Sequence, residues 1–583
     1  MRIISCLATG EQIVIMWYFI LSLLIFLSIP QQAHAKFDPL SRPNNKLGIH
    51  ILDVNDLFDA EKLVNSTGGL WGYVTLVIQE DDRNFDKWQG IFDQMRRSHL
   101  IPVVRLATKI QGDSWAIPQA NSIDDWVRFL DSLNWPIENR YVTLFNEPNH
   151  ANEWGKSINP EEYARFTYAL AQKLHATSND FFVMPAGLDV SAASDGRSLD
   201  AGIFAKRMTE AQPDYFNAFD GLASHSYPNP AFSGSVYDTG RGSLRSYQWE
   251  LELYKNLGLT KNLPVFITET GWVHDQGISY LSGAYNSEQI GVNLTIAASQ
   301  VWSDPNIVAV TPFALSYQGA PFDHFSWKRL GVNEFYPQFF AYQGIVKTKG
   351  APKQHERYVL EPKLIPPTLV GGAHYILTSL VKNEGQAIIS AKEGYTLKFE
   401  SPDDFVVSYG AIPNIEPKQT GEISITIDTP NDTKAHLFSL SLVHEKDVIP
   451  LQSGTIKLIP PPAAKIAVQL GWRSLNNAQL ATVLVYDNLT LLHKFNGLTL
   501  KGGTVEVEGL RNIIPNNNYR VVLLVPYYLP RQVIAKLGDN KTILRMPRLY
   551  PLDFDNDGKW SISDIFQMFR MKPNQIISLF AGL

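Results

Sequence analysis

Between Leu47 and Lys347, short apolar and β-branched runs alternate with longer stretches whose apolar residues recur at helical spacing. Eight such runs can be counted, and they begin at Leu47, Gly72, Ile101, Tyr141, Phe181, Phe219, Pro264 and Ile307. Strands that alternate with helices are typical of βα units around a parallel sheet. Eight units in about 300 residues fit one (β/α)8 TIM barrel. We therefore assign residues 36–350 to a barrel domain.

The helix between the fourth and fifth runs shows how the pattern sets an element boundary. Its apolar positions extend from Pro160 to Ala176, with Asn159 in front of them. Asn is a favoured N-cap residue, and Pro is favoured at the first helical position because it lacks the N–H group that a helix leaves unpaired there. The sequence thus predicts a helix that begins at Pro160.

After Pro352 the helical pattern gives way to runs in which apolar and polar residues alternate between Gly, Pro and Asn turns. Such alternation predicts half-buried strands. We assign residues 353–459 to an Ig-like β-sandwich and residues 464–550 to a second β-sandwich, with the prolines of residues 460–462 as a stiff linker. The predicted fold class is α/β: a (β/α)8 TIM barrel, two β-sandwich (Ig-like) domains, and a short EF-hand-like calcium segment at residues 551–583.

The N-terminus carries an apolar run from Ile13 to Ile29, followed by Ala33 and Ala35. This order is typical of a signal peptide with an A-x-A cleavage site, so residues 1–35 predict export to the cell surface or the medium. Because the run is close to the length that spans a bilayer, an uncleaved membrane anchor is the alternative. The chain's only cysteine, Cys6, precedes the expected cut, which excludes disulfides from the mature protein.

Composition removes one class of partner. The formal net charge of -6 gives no basic surface of the kind that nucleic-acid-binding proteins use. The chain also contains 24 Tyr and 13 Trp, enough flat side chains to form both a core and stacking surfaces for sugar rings. A carbohydrate substrate suits this composition, and a nucleic acid does not.

Polar residues close several of the predicted barrel strands. In a parallel barrel the carboxyl ends of the strands meet at one face, which is where active sites of this fold lie. A single polar residue at a strand end is common, but here a whole ring is expected at one face. The ring consists of His50, Arg105, Asn146, Glu147, His225, Tyr227 and Glu269.

Three of these segments resemble clan A of the glycoside hydrolases, the retaining barrel families that include family 5. They are the Asn-Glu-Pro at Asn146, the His-Ser-Tyr at His225, and Ile-Thr-Glu-Thr-Gly-Trp around Glu269. The resemblance covers about half of the chain. It implies hydrolysis of β-glycosides with retention, with Glu147 as the acid/base and Glu269 as the nucleophile. Retention requires two carboxyl groups about 5 to 5.5 Å apart, one protonated and one ionised.

The other ring residues have expected roles around this pair. Arg105 would hold Glu269 ionised by charge pairing, and Tyr227 and His225 would hydrogen-bond its oxygens. Asn146 would bind the sugar 2-hydroxyl. His50 fits either a substrate contact or a supporting role. The family places a tryptophan under the sugar at the cleavage point, and the candidates for that role are Trp327 and Trp272.

The C-terminal segment contains the run DFDNDGKWSISD, which starts at Asp553. Oxygen ligands recur at the spacing of a calcium loop, with Gly558 at the sharp turn. The expected Ca²⁺ ligands are Asp553, Asp555, Asp557, the carbonyl of Lys559, and Asp564. The segment resembles one repeat of a dockerin. This implies either a cohesin-like or cell-surface partner or a purely structural Ca²⁺ site, and catalysis itself needs no cofactor.

The sequence thus favours a secreted, retaining glycoside hydrolase that acts on poly- or oligosaccharides. Two alternatives stay open. A transglycosylase of the same clan would pass the glycosyl intermediate to another sugar, and a non-catalytic surface protein would use the barrel only to bind carbohydrate. The presence of both Glu147 and Glu269 favours an enzyme. The glycan, its linkage, and endo or exo action depend on loops whose shape the sequence does not reveal.

Overall fold

The computed structural model describes residues 36–471 and 478–580. They form two compact units, one that ends at His355 and one that begins at Glu356. The predicted signal peptide, residues 1–35, lies outside the described residues. Within the described ranges, no helix has both the length and the apolar character that crossing a membrane requires.

The described residues of the first unit contain ten strands and eight α-helices. The strands are β1 (Ile49–His50), β2 (Gly72–Gln79), β3 (Leu100–Ala107), β4 (Ile110–Gln111), β5 (Ser114–Trp115), β6 (Arg140–Leu144), β7 (Phe181–Pro185), β8 (Leu222–His225), β9 (Val265–Glu269) and β10 (Ile307–Val310). The helices are α1 (Leu57–Val64), α2 (Phe85–Arg97), α3 (Ser122–Ser132), α4 (Pro160–Thr177), α5 (Ala201–Ala211), α6 (Ser246–Asn256), α7 (Ser287–Gln300) and α8 (Pro337–Gly344). All eight predicted strand runs are strands. The short hairpin β4–β5 was not predicted.

Local signals in the sequence explain several boundaries. Helix α4 begins at Pro160, as predicted, and the Asn159 side chain accepts a hydrogen bond of 3.1 Å from the backbone N–H of Glu162. Helix α7 begins after a capping box in which Asn286 and Gln289 each accept a hydrogen bond from the other's backbone N–H. These caps pair N–H groups that the first helical turn cannot satisfy itself.

The parallel strands lie in two sheets, ordered β1-β2-β3-β6-β7 and β10-β9-β8. Backbone hydrogen bonds link the sheets at both edges: Gly48 N–H to Val310 O at 2.8 Å, and Asp220 N–H to Val183 O at 2.9 Å. One strand face packs against the helices. The other faces inward, where the rings of Tyr141 on β6 and Phe266 on β9 lie 4.9 Å apart. A mixed α/β unit on parallel strands is confirmed, and its description as one closed barrel stays a prediction.

The first unit ends five residues beyond the predicted limit of 350. The Lys353 ammonium lies 3.0 Å from a Glu138 carboxylate oxygen, and the Gln354 side chain donates to the Pro136 carbonyl at 2.7 Å. His355 Nε2 lies 2.9 Å from Asp180. These contacts hold residues 353–355 against the parallel-strand unit.

The second unit is built mainly of antiparallel strands. They are β11 (Tyr358–Glu361), β12 (Thr368–Val370), β13 (His374–Asn383), β14 (Thr396–Glu400), β15 (Val406–Tyr409), β16 (Thr420–Asp428), β17 (Ala435–His444), β18 (Asp447–Ile459), β19 (Ala463–Ala467), β20 (Gln479–Asp487), β21 (Thr490–Leu500), β22 (Thr504–Val507), β23 (Asn518–Val525), β24 (Tyr528–Lys536) and β25 (Lys541–Arg545). Two helices follow, α9 (Ile562–Arg570) and α10 (Pro573–Phe580).

These strands form four sheets, ordered β11-β13-β16-β15, β12-β18-β17-β14, β22-β19-β25 and β21-β20-β23-β24. Burial alternates residue by residue along β13, which confirms the reading of that run as a half-buried strand. Apolar residues on both sides of residues 460–462 belong to one hydrophobic cluster. Tyr375 also donates a hydrogen bond of 2.9 Å to the Ile513 carbonyl. The two halves of this unit therefore share a core, and their Ig-like classification stays a prediction.

Candidate active site

The two glutamates lie where the parallel strands end. Glu269 is the last residue of β9, and Glu147 follows β6 by three residues. Because β6 and β9 face each other across the strand interior, their carboxyl ends bring both side chains to one place. An oxygen of each carboxylate and a ring nitrogen of His225 all lie within 4.8 Å of one another.

Hydrogen bonds fix the orientation of the Glu269 carboxylate. Arg105 Nη1 donates to Oε1 at 2.7 Å, and the Tyr227 hydroxyl donates to Oε2 at 3.1 Å. Burial alone would favour the protonated form of this acid. The positive charges of His225 and Arg105 outweigh that burial and lower the pKa of Glu269 below its ordinary value. At neutral pH Glu269 is therefore an oriented carboxylate.

His225 connects the two glutamates. Its Nδ1 lies 2.8 Å from Glu147 Oε1 and 3.8 Å from Glu269 Oε2. Burial opposes its charge, but the carboxylates of Glu269 and Glu147 raise the pKa of His225 to about 9. The ring fits closely against the chain, because a Cβ atom on Gly187 would come within 2.3 Å of it. His225 is therefore a fixed cation that donates a hydrogen bond to Glu147 at neutral pH.

The backbone around Glu147 is strained. Phe145 and Glu147 have φ angles of 74° and 26°, in the left-handed region that residues with a side chain seldom adopt. The Glu147 N–H donates to the Gly187 carbonyl at 3.2 Å, which helps to hold this conformation. Such strain is frequent where a protein directs a functional side chain against the local preference of the chain.

His50 lies beside Glu269 as a neutral group. Its Nδ1 lies 3.6 Å from Glu269 Oε1, and its ring packs edge-on against Phe313 with 5.2 Å between centroids. Burial lowers the pKa of His50 to about 3. Neither ring nitrogen has a hydrogen-bond partner among the described residues. The side chain can therefore offer one N–H and one acceptor in the site.

The two tryptophans do not take the stacking role expected for them. Trp272 is 2% exposed and donates its indole N–H to the Gly234 carbonyl at 2.9 Å. Trp327 is 3% exposed and packs edge-on against Tyr342 with 5.2 Å between centroids. Neither ring has an open face for a sugar, so this expectation was wrong. The loops after β9 and β10 turn both side chains inward, where a large apolar ring gains most from burial.

Sequence reasoning missed an aromatic cluster beside Glu269. The ring of Tyr227 packs against Phe232 and Phe325, and Phe325 packs against Phe313, with 5.0 to 5.8 Å between centroids. Phe232 and Phe322 are 37% and 43% exposed at the edge of this cluster. Phe313, which follows β10, packs edge-on against His50 at 5.2 Å between centroids. A search for tryptophan alone could not find it.

A metal ion is not needed to explain the charges of this site. Glu147, His225 and Glu269 are close enough together to bind a cation. However, Arg105 and the His225 imidazolium already neutralise the two carboxylates. Glu138, Asp180 and His355 form a second such group. There Lys353 supplies the positive charge.

The calcium-loop candidate in the second unit has a different charge balance. Oxygens of Asp553, Asp555 and Asp564 lie within 4.8 Å of one another. Backbone N–H groups donate to three of the carboxylates: Gly558 to Asp553 Oδ2 at 3.1 Å, Lys559 to Asp557 Oδ1 at 2.7 Å, and Phe554 to Asp564 Oδ1 at 2.8 Å. No lysine or arginine contact neutralises them among the hydrogen bonds described for this loop.

One atom of this loop points to a cation. Asp553 Oδ1 is buried without a hydrogen-bond partner among the described residues. Burial and the neighbouring carboxylates of Asp564, Asp557 and Asp555 raise the pKa of Asp553. The sharp turn falls at Gly558, whose φ of 86° suits glycine. The donor set of hard oxygens fits Ca²⁺. The structure groups Asp553, Asp555 and Asp564, whereas Asp557 and Lys559 are exposed.

Comparisons with known proteins return structures but no sequence relatives. No family model and no curated protein matches the chain. A β-mannanase from Thermomonospora fusca is 14% identical, over 52% of this chain and 91% of that one, with a TM-score of 0.34. A family 39 glycoside hydrolase from Bacteroides cellulosilyticus is 12% identical, over 68% and 82%, with a TM-score of 0.38. A family 51 α-L-arabinofuranosidase from Bifidobacterium longum is 10% identical, over 61% and 78%, with a TM-score of 0.29.

These neighbours are glycoside hydrolases. All three TM-scores lie below 0.5, so a functional assignment depends on the side-chain geometry of the site instead.

Proposed function

We propose that the first unit is a retaining glycoside hydrolase that cleaves β-glycosidic bonds in poly- or oligosaccharides. One observation carries the proposal: oxygens of Glu147 and Glu269 approach within 4.8 Å, in environments that differ. This separation fits the carboxyl pair of a retaining enzyme better than the pair of an inverting enzyme, which must leave about 6.5 to 9.5 Å for a water molecule.

In the first step Glu269 attacks the anomeric carbon of the sugar. Arg105 and Tyr227 hold its carboxylate in place, so little reorganisation is needed. Glu147 gives its proton to the glycosidic oxygen as the bond to that oxygen breaks. His225 donates to Glu147 Oε1, which leaves Oε2 to carry the proton. The products are an alcohol and an α-linked glycosyl ester on Glu269.

In the second step Glu147 acts as a base. The leaving alcohol makes room for a water molecule, from which the Glu147 carboxylate removes a proton as the water oxygen attacks the anomeric carbon. The ester bond to Glu269 breaks, and the sugar leaves with its original β configuration. Two displacements at one carbon account for the net retention.

Further parts of the proposal concern the rest of the chain. We take the two parallel sheets as parts of one closed (β/α)8 barrel, because hydrogen bonds link both pairs of edges. We also propose a structural Ca²⁺ at Asp553, Asp555 and Asp564, supported by the unpartnered oxygen of Asp553. Export by residues 1–35, and a cohesin-like or cell-surface partner for the C-terminal segment, are proposals from the sequence.

Trapping the glycosyl-enzyme tests the proposed function. A panel of defined polysaccharides and aryl glycosides first identifies a substrate, and product lengths separate endo from exo action. A 2-fluoro derivative of the active glycoside should then label the peptide that contains Glu269, and Glu269→Gln should stay unlabelled. Labelling elsewhere, or a product of inverted configuration, would disprove the retaining assignment.

A further inference from the structure

A third carboxyl group lies beside the catalytic pair. Glu153 is half-buried and ends the short 3-10 turn Ala151–Glu153, six residues after Glu147. It lines a narrow cavity together with Arg105, Asn146 and Trp115. No motif in the sequence marks this residue, because it lies in a loop rather than at a strand end.

The turn that carries Glu153 is held on both sides. The Ala151 N–H donates to the Arg197 carbonyl at 2.8 Å, and the Asn152 carbonyl accepts from Ser114 Oγ at 2.9 Å. The next residue, Trp154, is buried and packs against Phe145 with 5.5 Å between ring centroids. The direction of the Glu153 side chain is therefore set by the surrounding structure.

The amide of Asn146 lies between Arg105 and Glu153. Arg105 Nη1 donates to Asn146 Oδ1 at 2.7 Å and also to Glu269 at 2.7 Å. On its other side, the Asn146 amide neighbours the Glu153 carboxyl group, and both line the same narrow cavity. Because arginine can only donate hydrogen bonds, its bond to Oδ1 sets the orientation of the Asn146 amide and leaves the Asn146 N–H groups for other partners.

We propose that Glu153 is a positioning residue of the active site, which fixes the Asn146 amide and, through it, Arg105 against the nucleophile Glu269. The proposal rests on the proposed function, because its purpose is to present the second Asn146 N–H to the sugar 2-hydroxyl. Hydrogen bonds to that hydroxyl strengthen in the transition state of glycoside hydrolysis. Glu153 would thus act through Asn146 and never touch the sugar.

The charge of Glu153 makes the proposal testable by pH. The charged groups that face it are Arg105 from β3, Glu147 after β6, Glu269 on β9, and His150 in its own loop. Burial raises the pKa of Glu153 to about 7, against the opposing charge of Arg105. Below pH 7 Glu153 is therefore neutral. Above pH 7 it becomes a third anion that competes with Glu269 for Arg105.

Two substitutions distinguish the role of Glu153 as a hydrogen-bond acceptor from the role of its charge. Glu153→Gln keeps an acceptor for Asn146 and is neutral at every pH, whereas Glu153→Ala removes the acceptor. Glu210→Gln is the matched control, because Glu210 is an exposed carboxylate on α5 whose ion pair among the described residues is with Lys206, one turn earlier. The full chain is used throughout.

The first measurement does not depend on activity. Asn is labelled with ¹⁵N, and the side-chain signal of Asn146 is assigned by its loss in Asn146→Asp. We expect this signal to shift with a midpoint near pH 7 in the wild type and in Glu210→Gln, and to be independent of pH in Glu153→Gln. An Asn146 signal that behaves alike in the wild type and in Glu153→Gln would overturn the proposal.

The second measurement uses hydrolysis. We expect Glu153→Ala to lose about ten- to a hundredfold in kcat/KM, and Glu153→Gln to stay within about threefold of the wild type at pH 6. Glu153→Gln should also keep its activity to higher pH. Full activity of Glu153→Ala would overturn the proposal. If the wild type hydrolyses no glycoside, the proposed function fails, and the Asn146 signal still decides the role of Glu153.

Discussion

The two units each contain a group of carboxylates, and they balance the charge in different ways. In the first unit, Glu269 on β9 pairs with Arg105 on β3, and Glu147 after β6 pairs with His225 on β8. In the second unit, the aspartates of the loop at Asp553 meet mainly backbone N–H groups, and one buried oxygen has no partner among the described residues.

This difference indicates what each group can do. A carboxylate paired with a fixed cation keeps its charge and its direction, and it can react with a neutral substrate without binding an ion first. A group of carboxylates without a cation is under mutual repulsion, which a divalent ion relieves. The contrast therefore favours chemistry in the first unit and a structural ion in the second.

The largest expected effect is the loss of Glu269, the proposed nucleophile. Glu269→Ala should lower turnover of every glycoside by at least about 10⁴-fold, because no glycosyl-enzyme can form. Added azide should enter the cavity and give an α-glycosyl azide, detected by NMR of the product. Glu210→Ala serves as the control. Wild-type-like turnover by Glu269→Ala would place the nucleophile elsewhere.

Loss of the acid/base should depend on the leaving group. Glu147→Ala should lower hydrolysis of natural glycosides by about 10² to 10⁴-fold, because their departing oxygen needs a proton. Dinitrophenyl glycosides need none and should still form the intermediate, which azide then converts to a β-glycosyl azide. Rates measured over a series of aryl leaving groups test this. An equal loss for all leaving groups would contradict the role of Glu147.

Removing Arg105 should weaken the charge balance that keeps Glu269 ionised in the first unit. Arg105→Met deletes the charge that helps to hold the pKa of Glu269 low. We expect kcat/KM to fall by about 10²-fold, and its acidic limb to move to higher pH, because Glu269 then takes up a proton more readily. The kcat/KM profile from pH 3 to 8 measures both. An acidic limb identical to the wild type would show that Arg105 does not control this charge.

Adding a cation should act on the second unit alone. At about a thousandfold excess over its dissociation constant, Ca²⁺ stabilises a folded site by about 4 kcal/mol. We expect the melting transition of the second unit to rise by about 8 °C relative to chelator-treated protein. Asp553→Asn should reduce this rise, and kcat at low temperature should be unaffected. If calorimetry shows no Ca²⁺ binding, the proposed Ca²⁺ site is wrong.

The smallest expected effect concerns Glu250, a buried carboxyl group that belongs to neither of these two groups. Glu250 is buried, accepts a hydrogen bond from Ser224 Oγ, and has no partner for Oε1 among the described residues. Burial raises the pKa of Glu250 to about 8. The unfolded chain releases this proton near pH 4.5 and the folded protein only near pH 8, so the group lowers stability as pH rises between these values.

Glu250→Gln is neutral in both states and should remove this penalty. We expect its melting temperature to match the wild type at pH 4 and to exceed it by about 4 °C at pH 8. Scanning calorimetry at both pH values provides the measurement. A difference that does not change with pH would show that Glu250 stays ionised in the folded protein.

Much of the candidate site could be predicted because strand ends are a property of the chain pattern. His225 and Glu269 close their strands, and parallel strands bring such ends together. Asp553 and Asp564 were equally visible as candidate ligands, because the spacing of a calcium loop is local. The aromatic residues were mispredicted, since Trp272 is close to Glu269 in sequence but turns into the core.

The sequence alone determined the alternation of strands and helices, the change to two-residue periodicity after Pro352, and the residues at the strand ends. These features follow from local patterns of apolar side chains. Only the tertiary structure decided that Phe313 rather than a tryptophan lies beside His50, and that Glu153 reaches Asn146. Both contacts depend on how loops pack against each other, and loop packing is set by distant parts of the chain that no local pattern records.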